Sequence, residues 1–176
     1  MCGDVRVAAD ARILFGAVVT AEDGQVTIGQ RCVVMENALI RGRRRHPAEL
    51  GSDVLVGPHA HINGASIADG SFIATGASVF PGANLGPGAE VRINGVVHVN
   101  TALPAAGVVP IGCVAAGDPC QILSPDRHDE IWAIVRSLDF PQTVYGLSRE
   151  TSPADRMASQ AAWFAAHKQD SLAGGD

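Results

Sequence analysis

Aromatic side chains are scarce in this 176-residue chain, where five phenylalanines, two tryptophans and one tyrosine make up 5% of the residues. Any core must therefore be assembled from small aliphatic groups. Cations are also in the minority, 13 against 18 acidic residues, giving a formal net charge of −5 and a pI near 5.6. With no basic stripe interleaved with aromatics, nucleic acid is not an expected partner. No run approaches the roughly 18 apolar residues that cross a bilayer, and "MCGDVRVAADARILFG" has no basic head followed by an apolar stretch. The expectation is a soluble, cytoplasmic protein without a membrane partner. Cys2, Cys32, Cys113 and Cys120 form no C-x-x-C pair, which argues against disulfides and a zinc knuckle.

What the chain does have is 20 glycines and an aliphatic residue at almost every sixth position. The series runs Ile28, Val34, Ile40, Leu50, Val56, Ile62, Ile67, Ile73, Val79, Leu85, Val91, Val97, Leu103 and Val109, broken only after Ile40 and after Ile62. Six matches neither the 3.6 of a helix nor simple alternation, but it suits a three-sided coil of short strands joined by tight turns. The predicted fold is an all-β core, a left-handed parallel β-helix of about five coils over residues 1–123. A helical extension over 124–170 is expected to pack on its flank or on a neighbouring subunit. There Ser124 and Ser152 offer N-caps, Pro125 and Pro153 stand at first helical positions, and Ile131, Ile134, Val135 and Leu138 form an apolar stripe. Met157, Ala161 and Phe164 share a face of the second helix, Trp132 and Trp163 are expected to be packing anchors, and "DSLAGGD" is expected to fray.

Stacking the coils puts Ile40, Ile62, Val79 and Val97 in one inward column, so that Arg41, Asn63, Phe80 and His98 form an outward ladder. His61 belongs to the same outward face, and His59 to the corner leading into it. The long interval after Ile40 is a corner insertion holding Arg43, Arg44, Arg45 and His46.

This order of pieces resembles the γ-class carbonic anhydrases over about residues 12 to 123. The matching stretches are "VVTAEDGQVTIGQRCVVMENALIRG" and "VGPHAHINGASIADGSFIATGASVF". The resemblance implies a homotrimer with its pocket between subunits. The family's zinc-ligating histidines fall on Arg41, Pro58 and Asn63, its Arg and Asp on Thr20 and Glu22, and its Gln and Asp on Met35 and Glu36. Proline and guanidinium cannot ligate zinc, so a conventional zinc carbonic anhydrase is excluded and no metal or cofactor is expected.

A permanent guanidinium in place of a metal ligand suits a small anionic molecule, which Arg41, Arg43, Asn63 and His98 would bind. An inter-subunit ion pair of Arg41 with Glu22 or Glu36 is the structural alternative, and Arg43 to Arg45 read equally as a solvated loop. His59, His61, Glu36 and Glu22 are the candidate proton-transfer groups of an isomerase or lyase. A non-catalytic trimer, a coenzyme A-dependent acyltransferase, and a carbonic anhydrase whose metal has moved to His59 and His61 with Glu36 or His98 remain as alternatives.

Overall fold

A computed structural model describes residues 1–165. The chain winds into a left-handed parallel β-helix whose three faces each stack one short strand per coil. The first face carries Val5–Val7, Val26–Ile28, Ala48–Leu50, Ser66–Ile67, Asn84–Leu85 and Ala102–Leu103. Arg12–Ile13, Val33–Val34, Leu55–Val56, Phe72–Ile73, Glu90–Val91 and Val108–Val109 make up the second. The third consists of Val18–Thr20, Leu39–Arg41, His61–Asn63, Ser78–Val79, Val96–Val97 and Val114–Ala116. There are thus six coils rather than five. The extra one is the first, Val5 to Thr20, which the loop at residues 21–25 separates from the six-residue series.

The inward column is as the spacing requires. Ile28, Ile40, Ile62, Ile73, Val79, Leu85, Val91 and Val97 are all buried, and alanines such as Ala60, Ala77 and Ala89 fill the corners between them. With one aliphatic side chain per strand there is no room at the axis for rings. Each such side chain contributes about 1.5–3 kcal/mol of burial, while inter-coil hydrogen bonds satisfy the backbone. Most corners turn on a left-handed residue, the inserted one at 42–47 being an exception. Between the second and third faces these are Gly16, Asn37, His59, Gly76, Asn94 and Gly112, types that tolerate positive φ best.

At the corner after the third face, Gly64 has φ +57, and a Cβ there would lie 2.6 Å from the His46 carbonyl oxygen and 2.7 Å from its Cβ. Gly64→Ala combines a strained φ with a steric clash against backbone, and is expected to cost about 1–3 kcal/mol. Thermal unfolding should show it as a lower melting temperature, by about 2–4 °C for each kcal/mol.

The last coil is closed by Gln121–Leu123, which pairs antiparallel with Val114–Ala116. Helix α1 (His128–Val135) follows and packs on that strand. Its start differs from the sequence expectation. Ser124 and Pro125 lie in a turn in which the Arg127 N–H donates to the Ser124 carbonyl, and the helix begins only at His128, with Asp129 and Glu130 in its first turn. Val135 is buried and Ile131 and Ile134 are half-buried, but Trp132 is 52% exposed.

The chain divides into two compact units, Met1–Leu138 and Asp139–Asp176, so α1 belongs with the β-helix. The second unit contains α2 (Phe140–Tyr145) and α3 (Pro153–Ala165). Ser152 caps α3 as the sequence implies, accepting from the Asp155 N–H and donating to its carboxylate. Met157, Ala161, Trp163 and Phe164 are exposed on the chain. The terminal "DSLAGGD" lies outside the described residues. No helix among the described residues is long and apolar enough to cross a membrane.

Candidate functional site

Strand register fixes the outward face of the third side. Arg41 stands beside Asn63, and the ladder continues through Phe80 and His98, one coil apart in each case. Two positions earlier on each strand, and so on the same outward face, come Leu39, His61, Ser78 and Val96. Coil spacing of about 4.8 Å puts His98 some three steps, ~14 Å, along the face from Arg41. The two cannot grip one small group together.

Arg41 has a partner in its own chain. Glu22 follows Thr20, which lies beside Arg41 in the register, and its Oε1 stands 2.7 Å from Arg41 Nε. The expected pair is therefore intramolecular rather than between subunits, and Glu36, exposed at a different corner, takes no part in it. The Glu22 side chain is only 6% exposed.

Arg43 joins them instead of lining a solvated loop. The Arg43 and His46 N–H groups each donate to the other's carbonyl, at 2.9 and 3.1 Å, closing a tight turn with Arg44 and Arg45 at its tip. That turn directs the Arg43 side chain back toward the face. Its Nε donates to Asn63 Oδ1 at 3.4 Å and lies 4.0 Å from Glu22 Oε2, with 15% of the side chain exposed. Arg44 and Arg45 remain exposed, Arg44 pairing with Asp23 at 3.5 Å. His46 packs its ring against Gly82, and burial followed by the nearby Arg45 holds its pKa below the usual imidazole value.

His61 is the titratable group on this face closest in register to the cluster. Its ring meets Phe80 edge-on at 6.1 Å, and Phe80 stacks on His98 at 5.9 Å. Desolvation, then the charges of Arg41 and Arg43, lower its pKa. It is therefore a neutral base at pH 7, and its Nε2 is buried without a hydrogen-bond partner. Burial likewise lowers His98.

His59 is separate. Its φ of +57 fills the corner position that glycine or asparagine takes in other coils, its side chain is exposed, and its N–H donates to the Glu36 carbonyl. The structure thus sorts the sequence candidates into two groups. Glu22, Arg41, Arg43, Asn63 and His61 gather on the third face, whereas Glu36 and His59 sit at the corner before it. No group of three or more His, Cys, Asp or Glu side chains among the described residues could hold a metal ion.

The same corner borders a groove of about 430 Å³ that the sequence reading missed. Met35, Pro58, Thr75, Ile93 and Ile111 line it on successive coils, with Phe72, Ala74, Glu90 and Arg92 on its second-face wall. Four coil steps make it about 19 Å long. Phe72, Ile93 and Ile111 are exposed in it, and those apolar residues at outward positions were the available signal.

No family model matches the sequence. Among solved structures, similarity is found to a Bacillus cereus protein provisionally described as an acetyltransferase. That match has 18% identity and a TM-score of 0.48, covering 94% of this chain and 88% of the other. A mutant perosamine N-acetyltransferase from Caulobacter crescentus, in complex with CoA and GDP-perosamine, matches at 24% identity and TM-score 0.42 over 68% of this chain, which spans only 53% of that one. The UDP-N-acetylglucosamine acyltransferase of Bacteroides fragilis matches at 14% and 0.41, over 90% and 77%. Likenesses this weak assign no activity.

Proposed function

We propose that the protein is an acid–base enzyme, assembled as a homotrimer, that transfers an acyl group from a coenzyme A thioester to a small acceptor bearing an anionic group. The observation that carries this reading is His61, a neutral imidazole with a buried, unpartnered Nε2 next to two guanidiniums. Such a nitrogen is poised to accept a proton and the cations to hold charge. Arg41 and Arg43 anchor the acceptor's anionic group. His61 Nε2 removes the proton from its hydroxyl or amine as the oxygen or nitrogen bonds to the thioester carbon. The C–S bond then breaks, and the departing thiolate takes that proton back from His61.

The groove is what favours acyl transfer among the chemistries a base and an anion site can support. A long, apolar groove along the coil axis suits an extended pantetheine arm; Arg92 on its wall is paired with Glu90 at 3.4 Å and meets a phosphate only by leaving that partner. His61 lies three residues after Pro58, just round the corner from it. The resemblance to γ-carbonic anhydrases supports a subunit interface at this corner, with Pro58, Arg41 and Asn63 in place of the metal ligands. A second reading, isomerisation or elimination on a small anion, is favoured by Glu22 Oε2, a buried oxygen without a hydrogen-bond partner in the same cluster.

Incubation with acetyl-CoA and a panel of amino and hydroxy carboxylates, followed by thiol release, tests the proposal. Acceptor-dependent release is expected. No release above the spontaneous rate with any acceptor, together with no binding of coenzyme A, would sink acyl transfer and leave the second reading. Sedimentation velocity should give the trimer mass.

A further inference from the structure

We propose that Glu22 sets the charge of the ligand, making the Arg41–Arg43 cluster a site for a monoanion, of the carboxylate class, and not for a dianion such as a phosphate or sulfate. The inference rests on the preceding reading only in taking this cluster as the ligand site.

Both guanidiniums are held from the inside. Glu22 Oε1 stands 2.7 Å from Arg41 Nε as an ion pair without hydrogen-bond geometry, and Arg43 Nε donates to Asn63 Oδ1. No Nη group of either makes a hydrogen bond among the described residues, and none is buried, so both outer edges reach solvent. The end-on edge of a guanidinium is a geometry that accepts an oxyanion. Glu22 is itself 94% buried by its 6% exposure, and its Oε2 has no hydrogen-bond donor. That unpartnered oxygen beside two open cation edges is the mark of a site whose charge is deliberately reduced.

The charge count follows. Two guanidiniums against one carboxylate leave a single positive charge. His61 adds none at neutral pH, because burial and these same cations keep it deprotonated. Asp23 is engaged by Arg44 through its side chain and its N–H, and Arg45 is exposed at the tip of the turn. A monoanion neutralises the half-buried cluster, whereas a dianion leaves an uncompensated negative charge against Glu22.

The test titrates the intact protein with sodium acetate and sodium sulfate at neutral pH and constant ionic strength, reading heat and the His61 imidazole resonances. Neither readout needs turnover, so loss of the proposed reaction and loss of this inference are separately visible. Wild type should prefer acetate. Glu22→Gln, which keeps the shape and removes the charge, should move the acetate-to-sulfate ratio of dissociation constants toward sulfate by about tenfold or more. An unchanged ratio, or no binding of either anion by wild type, overturns the proposal. Should Glu22→Gln fail to fold, Arg41→Gln decides. With the balance brought to zero, acetate binding should weaken by about tenfold or more, and undiminished binding overturns the proposal equally.

Discussion

Truncation of Ile62 to alanine is expected to cost about 2–5 kcal/mol, read as a lower denaturant midpoint at unchanged slope. Ile62 is fully buried, stacked in register between Ile40 on one side and Val79 on the other. The cost should fall in the upper part of the range for a structural reason. Large-to-small substitutions are softened when neighbours collapse into the space, but here each neighbour hangs from a strand pinned on both edges by inter-coil hydrogen bonds. No ring or long flexible side chain lies in the axial column to swing inward. A loss below about 1 kcal/mol would mean that the coils can shift toward one another, and would contradict the rigid stacking described above.

Replacement of His61 by asparagine should lower kcat/KM by about 10²–10⁴ while leaving assembly intact. The wild-type pH profile carries the diagnostic. Burial and two cations hold the imidazole below its ordinary value of 6.5, so the neutral base predominates at neutral pH. The rate should stay level through neutrality and fall only as the pH drops through the lowered value. The asparagine variant should lack that acid limb. If its residual rate kept the same limb, the titrating base would be another group. Stability should follow the same sign. His46, His61 and His98 all have lowered values in the folded state. Below pH 6.5 the unfolded chain therefore binds the more protons, and stability declines as pH falls.

The core was legible in the sequence because each strand must send one aliphatic side chain to the axis, and that demand repeats in step with the coil. Outward positions carry no such constraint, yet the ladder Arg41, Asn63, Phe80, His98 could be counted from the inward column and stands as counted. Partners were harder to read. The Glu22–Arg41 contact depends on a loop whose length breaks the six-residue step. The recruitment of Arg43 depends on backbone bonds between Arg43 and His46 that no residue type announces. His-x-His suggested a matched pair, whereas one of the two histidines is a corner residue whose neighbours in the column are glycines and asparagines. Ser124 and Pro125 have the chemistry of a helix start, but a preceding turn claims them.

The register itself has a consequence for how this molecule could change in length. From Ser66 onward, partners on adjacent coils stand eighteen positions apart, as Ser66 with Asn84 and Asn84 with Ala102. Within the strands, insertions and deletions there are quantised. Removing a whole turn of eighteen leaves every inward residue inward, whereas a single residue more or less inside a strand turns aliphatic side chains out and polar ones in; only a corner absorbs one, as the five-residue step between buried Ile62 and Ile67 shows. The earlier coils break this rule, with steps of twenty-one, twenty-two and seventeen at Leu39, His61 and Ser78. The solenoid is metrically uniform everywhere except where Glu22, Arg41, Arg43 and Asn63 meet. Its departures from the repeat are confined to the coils that carry the cluster.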